Sequence, residues 1–299
     1  MTRLDRRRFL TVAACAALAR PATAAPADWQ GVVMGAEARI TLHGPSAQTG
    51  PALAAALARI GQIEALFSLY RPDSALSRLN AAGRLDDPHP DFLRLLRLAG
   101  QVHALSDGRF DPTVQPLWLA LAEGRDPGPA RAAIGWDRIR IDENGVRLDA
   151  GQALTLNGIA QGFAADAVRE TLARHGLTHA LVDLGEFAAL GGPWRVGIGD
   201  PVLGLVLDRR LQGNAIATSS PGAMMLGTAP HILDPAGKAA PCWSTLSVEA
   251  SGAALADGLS TALCLADRAG LARILRRGAP AVTRITAIAE NGDIITEAT

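Results

Sequence analysis

The chain has 299 residues, with 29 basic and 29 acidic side chains and a formal net charge of zero. A neutral chain lacks the basic footprint that nucleic-acid and anionic-lipid binders usually carry, so composition argues against both classes of partner. The length is sufficient for one large domain, or two closely joined ones, with a substantial core.

The N-terminus carries the pattern of a cleaved export leader. Residues 6–10 read Arg-Arg-Arg-Phe-Leu, a twin-arginine motif, and an apolar run follows over residues 11–19. This run is shorter than the ~20 residues that a membrane-spanning helix needs. Residues 22–24 (Ala-Thr-Ala) form a small-x-small cleavage site. We therefore predict a twin-arginine signal peptide over residues 1–24, with no transmembrane span.

The mature domain is predicted to comprise residues 25–299 and to be periplasmic. An ordinary secretory leader is the alternative for the same segment, and it leads to the same compartment. Val12-Ala13-Ala14-Cys15 resembles a lipobox, but cleavage there would leave almost no hydrophobic region, which argues against a lipid anchor.

In the N-terminal half, alternating apolar and polar residues over 34–42 predict a half-buried strand. An Ala/Leu-rich helix is expected from Pro51 to about residue 67, and a second helix over residues 91–106. Short strands near residues 138–149 are expected to pair through a turn at residues 143–145.

In the C-terminal half, a helix is predicted over residues 158–175, with Gly176 ending it. Strands follow at 180–184 and 194–198, then a helix at 253–266 and a hairpin at 285–295. Strands and helices interleave without the regular spacing of a doubly wound sheet. The sequence therefore predicts an α+β fold.

One face of the helix at 253–266 carries oxygen-bearing side chains. Asp257, Ser260, Thr261 and Cys264 lie at i, i+3, i+4 and i+7. A carboxylate and a hydroxyl one turn apart suit Mg²⁺ or Ca²⁺, and a solvated polar stripe is the alternative. Cys242 and Cys264 permit a disulfide after export, although a buried free thiol is favoured for Cys264.

Three further groups of residues suggest a ligand. Gly158 and Gly162 open a helix whose N-terminus could hold a phosphate, or could simply pack against another helix. His231 and Asp234 could act as base and orienting group, or could be structural. The aromatic and acidic loop at 109–113, like the lone Tyr70, could contact a flat ring or could anchor a turn. The P-loop, nucleophile-elbow and HExxH motifs are missing from the sequence.

Taken in order, nine segments resemble the ApbE family, the FAD:protein FMN transferases. The segments are MGAEARI, FSLYRPDSALSRLN, DGRFDPTVQPLW, LNGIAQGFAADAV, VDLG, WRVGIGDP, AIATSS, HILDP and ADGLSTAL. The resemblance implies mixed sheets with packed helices, forming a two-lobed single unit with a central FAD cleft. It also implies a divalent ion at the FAD diphosphate: Mg²⁺, with Mn²⁺ or Ca²⁺ as alternatives.

The resemblance also implies roles for individual residues. The metal would be held by the backbone carbonyl of Gly158 or its neighbour together with Asp257, Ser260 and Thr261. His231 would lie near the FMN phosphoryl group and the acceptor hydroxyl. The residues implied to contact FAD are Met34, Tyr70, Arg109, Phe110, Asp111, Thr155, Gln161 and Ile232.

The implied reaction moves FMN from FAD to a Ser or Thr hydroxyl of another protein and releases AMP. The implied acceptor is the extracytoplasmic domain of a membrane redox flavoprotein. An FAD pyrophosphatase, or an FAD-binding carrier without turnover, are the alternatives. Departures from the family pattern at Thr155 and Gln161 motivate the carrier, and further departures lie at Ala36, Glu186 and Ser220.

Overall fold

The structure is a computed structural model that describes residues 27–299. The predicted signal peptide, including Cys15, lies outside the described residues. The helices within this range are α1 (Ser46–Phe67), α2 (Ala75–Ala82), α3 (Pro90–Leu105), α4 (Gln115–Ala122), α5 (Gly128–Ala132), α6 (Ala160–Arg174), α7 (Ala253–Leu263) and α8 (Arg268–Gly278).

Strands are distributed along the whole described range. They are β1 (Ala27–Val33), β2 (Ala36–Leu42), β3 (Arg84–Asp86), β4 (Arg140–Asp142), β5 (Gly145–Arg147), β6 (Ala180–Asp183), β7 (Phe187–Leu190), β8 (Trp194–Asp200), β9 (Gly204–Leu211), β10 (Ala215–Ser219), β11 (Met225–Leu226), β12 (Ala229–Pro230), β13 (Thr245–Ala250), β14 (Val282–Ile288) and β15 (Ile294–Ala298).

An eight-stranded sheet organises the molecule. Its strand order is β1-β2-β6-β7-β10-β13-β14-β15, and every neighbouring pair is antiparallel. A smaller three-stranded sheet, β3-β5-β4, is associated with α2. Segregated helices on an antiparallel sheet confirm the predicted α+β class.

The central strands are buried on both faces. In β6, Ala180 and Val182 belong to the main core, which includes α1, α6 and α7, whereas Leu181 belongs to a second core formed with the β8–β9 hairpin. Because side chains alternate across a strand, one short apolar run supplies both cores.

Helices α6 and α7 pack unusually closely at Gly162. A Cβ atom at this position would lie 2.3 Å from the carbonyl oxygen of Ala253, so only glycine fits the contact. One turn further along α6, the Asp166 carboxylate accepts the backbone N–H groups of Ala253 and Ala254, at 2.9 and 3.0 Å. Asp166 therefore caps α7 and fixes the start of α7 against α6.

Most element predictions are confirmed, with shifted ends. The helix predicted over 158–175 is α6, and Gly176 follows its C-cap residue with φ of +80°. The predicted start of α1 at Pro51 is wrong. Residues 46–50 form an additional turn, and there Gln48 donates to the carbonyl of His175 at 3.1 Å. Tertiary contact thus extends the helix beyond the proline that normally marks a helix start.

The cysteines and the lengths of the helices complete the description of the fold. Both described cysteines are free thiols, with Cys242 exposed and Cys264 buried. Within residues 27–299 no helix is both long and apolar enough to cross a bilayer.

Candidate functional site

The centre of the candidate site is the Asp257 carboxylate on α7. Its side chain is buried, with 3% of the residue exposed, and Oδ2 accepts the backbone N–H of Gly162 at 3.0 Å. Burial raises the pKa of Asp257 to about 7, although the Gly162 hydrogen bond acts in the opposite direction. A buried carboxylate at the first turn of another helix is a costly arrangement that a cation would relieve.

Thr261 lies beside Gly158. A Cβ atom at Gly158 would lie only 2.8 Å from Thr261 Oγ1, so the hydroxyl reaches the backbone just before α6. The predicted face of α7 is therefore directed at the glycines that open α6. The residues that the sequence proposed for the metal are brought together here.

A small hydroxyl cluster surrounds these residues. Ser260, which is fully buried, donates to the Asp257 carbonyl at 2.9 Å. Ser219, at the end of β10, lies 2.7 Å from Ser260 Oγ and 3.4 Å from Thr261 Oγ1. Because the single Ser260 proton is directed at a carbonyl, Ser219 is the donor in the Ser219–Ser260 contact.

A second carboxylate, Glu186, borders the same cluster. It lies between β6 and β7, and its Oε2 accepts the backbone N–H of Thr218 at 3.0 Å. Burial raises its pKa well above the usual value, and the neighbouring Asp257 carboxyl increases it further. The preceding residue, Gly185, contacts the predicted FAD ligand Gln161, because a Cβ there would lie 3.0 Å from the Gln161 amide nitrogen.

The sequence singled out neither Ser219 nor Glu186 as a site residue. Both lie at strand ends whose positions beside α7 depend on strand pairing in the central sheet. In the sequence, Glu186 stands out only as a departure from the ApbE pattern. Ser219 lies in the short polar end of the segment AIATSS, where no alternating or helical pattern marks it as a site residue.

The loop at 109–113 is held together by Asp111. Its Oδ1 accepts the Thr113 N–H and hydroxyl at 2.8 and 2.6 Å, and Oδ2 accepts the Trp136 N–H at 3.2 Å. Thr155 donates its N–H to the Pro112 carbonyl at 2.9 Å, which joins this loop to the segment before α6. Asp111 therefore organises the loop, and contact with FAD remains a prediction for it.

Two neighbours of Asp111 were also predicted to contact FAD. Phe110 is buried in the main core, and its N–H donates to Ser106 Oγ at 3.0 Å. Arg109 donates to the carbonyl of the same serine at 3.1 Å. These bonds fix the loop before Asp111.

The other predicted FAD residues lie on separate segments. Met34 has a φ of +49° in the β1–β2 turn, and its N–H donates to Glu64 in α1 at 2.9 Å. Tyr70 follows α1 and is 67% exposed. Ile232, by contrast, is buried in the main core.

His231 is positioned by the loop that precedes it. Its Nδ1 lies 3.1 Å from the Pro221 carbonyl and 3.2 Å from that of Met224. Since carbonyls only accept, Nδ1 carries the proton and Nε2 keeps its lone pair. Burial lowers the pKa of His231, so the ring is neutral near pH 7 and can act as a base.

Within residues 27–299, no group of three or more His, Cys, Asp or Glu side chains is arranged to hold a metal ion. This result excludes a dedicated cage of such ligands from the described range. A Mg²⁺ site does not need such a group, since Mg²⁺ usually takes one or two carboxylates and completes its shell with water and substrate phosphates.

Fold and site together define a class. This is an α+β protein in which a helix N-terminus, a buried carboxylate and hydroxyl groups converge, as expected for a protein that binds a cation and a phosphorylated ligand. The model of the ApbE family matches residues 34–284. The chain belongs to the ApbE family.

Individual relatives agree with this assignment. An FAD:protein FMN transferase of Rhodobacter capsulatus is 29% identical over 296 residues, which cover 85% of this chain and 54% of that protein. The chain spans about half the length of the curated relatives it matches, such as 54% and 57% of two of them.

Solved structures share the fold. The apo form of the flavinyl transferase ApbE of Pseudomonas stutzeri has a TM-score of 0.75 and 28% identity, and the match covers 92% of this chain and 94% of that one. The ApbE protein of Thermotoga maritima has a TM-score of 0.80 at 23% identity, covering 91% and 96%.

Proposed function

We propose that this protein is an FAD:protein FMN transferase, which moves FMN from FAD to a Ser or Thr hydroxyl of another protein. The observation that carries this proposal is the convergence of Asp257 and Thr261 on the glycines that open α6. This arrangement suits a pyrophosphate, because a helix N-terminus and a cation both favour negative charge. Family membership and relatives named for this activity support it.

The described residues fit a divalent cation, which we propose to be Mg²⁺. Asp257 and Thr261 would be its side-chain ligands, together with a backbone carbonyl at or next to Gly158. Ser260, which the family resemblance implies as a further ligand, donates its proton to the Asp257 carbonyl, and we propose that it supports Asp257 through this bond. When bound, the cation supplies charge neutralisation at the diphosphate and at the departing AMP.

The reaction balances without a redox partner. The acceptor oxygen attacks the phosphorus of the FMN half, the bond from that phosphorus to the bridging oxygen breaks, and AMP leaves with that oxygen. His231 Nε2 is suited to take the acceptor proton, since the ring is neutral and its Nδ1 is directed at two carbonyls. The first turn of α6 would hold the transferring group in line, because positioning dominates this reaction class.

Mass spectrometry of an acceptor tests the proposal. A flavoprotein domain with a candidate Ser or Thr is incubated with the protein, FAD and Mg²⁺, and its mass is compared with a sample containing EDTA. We expect the acceptor to gain one FMN phosphoester and AMP to appear in equal amount. AMP without an FMN adduct would identify a pyrophosphatase instead. FAD binding with neither product would identify a carrier, the reading that Thr155 and Gln161 motivated.

We further propose that the protein acts in the periplasm on an extracytoplasmic domain of a membrane redox flavoprotein. The support is the twin-arginine pattern at residues 6–10 and the cleavage motif at 22–24. Replacing Arg6 and Arg7 by Lys is expected to keep the unprocessed chain in the cytoplasm. Processed periplasmic protein from that variant would argue for an ordinary secretory leader.

A further inference from the structure

Glu186 is a buried carboxylate that the proposed reaction does not yet use. It lies in the turn between β6 and β7, and 7% of the residue is exposed. One of its oxygens accepts the Thr218 N–H at 3.0 Å, and this bond fixes the side chain against the end of β10.

The structure links Glu186 to the cation site on two sides. On one side, Thr218 is followed by Ser219, whose hydroxyl contacts Ser260 and Thr261 at 2.7 and 3.4 Å. On the other side, Gly185 precedes it and contacts Gln161 in the first turn of α6. Glu186 is therefore bonded to the end of β10 that contacts α7, and it follows a glycine that contacts the first turn of α6.

The negative charges of Glu186 and Asp257 are not compensated by an ion pair within residues 27–299. The ion pairs within residues 27–299 involve carboxylates other than Glu186 and Asp257. Each of the two is buried, and Asp257 raises the pKa of Glu186. Two buried carboxylates that repel each other are disfavoured unless a proton or a cation lies between them.

We propose that Glu186 is a second carboxylate ligand of the divalent cation that Asp257 binds. This inference rests on the proposed function in one respect, since it takes Asp257 as a metal ligand. Two carboxylates neutralise one divalent ion, so the pair would hold the cation before FAD arrives. Two carboxylates are also within the number that Mg²⁺ normally accepts.

Manganese titration of the full mature chain tests this without any turnover. Mn²⁺ is added in the absence of FAD, and free Mn²⁺ is followed by electron paramagnetic resonance. Glu186→Gln is the main variant, since its amide oxygen can still accept the Thr218 N–H. We expect its Kd for Mn²⁺ to rise at least tenfold, about 1.4 kcal/mol. Glu186→Ala is expected to show a similar rise.

Asp183→Asn is the matched control. Asp183 belongs to the same strand connection and contributes to the raised pKa of Glu186, but its own carboxyl accepts the Gly185 N–H and does not border the hydroxyl cluster. We expect its Kd for Mn²⁺ to stay within about twofold of the wild-type value. A tenfold rise in this control as well would show that general electrostatics, not ligation, sets the affinity.

The variants separate this inference from the proposed function. Unchanged affinity in Glu186→Gln, with loss in Asp257→Asn, would overturn the role of Glu186 and leave the proposed metal site intact. Loss in Glu186→Ala but not in Glu186→Gln would identify a protonated hydrogen-bond donor instead of a ligand. Unchanged affinity in Asp257→Asn would overturn both. Melting curves without metal show whether each variant is folded.

Discussion

Asp257, Glu186 and Asp183 are buried or partly buried carboxyl groups near one end of the central sheet, and burial raises the pKa of each. Charged side chains are normally placed at the surface or are paired. This protein instead concentrates carboxyl groups where they cost stability. Such an exception is typical of a site that is completed by a ligand.

Replacing Asp257 by Asn should remove metal-dependent turnover and leave the fold intact. The Asn oxygen can still accept the Gly162 N–H, but an amide is a far weaker ligand for Mg²⁺ than a carboxylate. We expect AMP release to fall by at least about 100-fold, ~2.7 kcal/mol. The checks are the rate of AMP release and the melting temperature without metal. Wild-type turnover in this variant would exclude Asp257 as a metal ligand.

Replacing His231 by Asn should separate binding from transfer. The Asn amide can still donate to the Pro221 and Met224 carbonyls, whereas the basic nitrogen is lost. We expect FMN transfer to fall by roughly 100-fold or more, as for other general bases, and FAD affinity to change by less than about threefold. Fluorescence titration with FAD and the rate of acceptor labelling measure the two effects. Equal loss of both would assign His231 a structural role.

The raised pKa of Asp183 predicts that the stability of the fold depends on pH. Burial raises its pKa to about 6, partly offset by the Gly185 N–H and by Arg39. A carboxyl group whose pKa is higher in the folded than in the unfolded chain stabilises the fold at low pH. This contribution is lost as the pH rises through about 6. The shift corresponds to at most about 3 kcal/mol.

Asp183→Asn should therefore be more stable than the wild type at pH 8, and this advantage should shrink to about a third at pH 4.5, where the wild-type carboxyl is largely protonated in the folded state. Urea unfolding at both values measures the difference in the free energy of unfolding. A constant difference across this range would contradict the assigned pKa.

At the scale of elements, the relation between α6 and α7 determines the site. Gly162 allows the two helices to touch, and Asp166 caps α7 from α6. The proposed metal-binding face of α7 is thus set by contacts that lie about one to two turns away from Asp257 and Thr261. Small shifts between the helices would move Asp257 relative to the α6 N-terminus.

Gly162→Ala should disrupt this contact. The new methyl group would lie 2.3 Å from the Ala253 carbonyl oxygen, which is backbone and cannot rotate away. We expect a loss of roughly 1–3 kcal/mol of stability and weaker Mn²⁺ binding. Gly61→Ala in α1 is the matched control, because a Cβ there meets no atom within 4 Å. It should gain about 0.5–1 kcal/mol. A similar stability for both variants would contradict the packing argument.

The elements also show what the sequence could predict. The helical spacing of Asp257, Ser260 and Thr261 correctly placed three polar groups on one face, because that relation is local. The positions of Ser219 and Glu186 depend on β10 pairing with both β7 and β13. These pairings join segments far apart in sequence, and no periodic pattern encodes them.

Several elements are absent from the sequence prediction, among them the edge strand β1, the helix α8 and the central strand β13. β1 is largely exposed on alternate residues and is ordered by its register with β2. The sequence therefore predicts the class of the fold and the main site helices, whereas strand order and the polar lining of the site arise from tertiary pairing.

At the scale of the whole molecule, the central sheet separates two cores. The helical core lies on one face and the β8–β9 hairpin covers the other. Residues of the candidate site come from α6, α7, the β6–β7 turn and the end of β10, which meet on the helical side. A site assembled from so many segments forms only when the sheet and both helices are in place. Ligands that bridge these segments should therefore stabilise the entire fold.

The proposed site requires that FAD and Mg²⁺ bind cooperatively, since each would contact the other. In the absence of an acceptor, we expect the rise in melting temperature with both ligands to exceed the sum of the rises with each alone, because coupling between two ligands is reciprocal. Asp257→Asn should retain the FAD shift and lose the cooperative part. Asp208→Asn, at an exposed ion pair with Arg195 on the β8–β9 hairpin, should behave like the wild type. Strictly additive shifts in the wild-type protein would show that the cation and the dinucleotide bind independently, and they would contradict a metal held at the diphosphate.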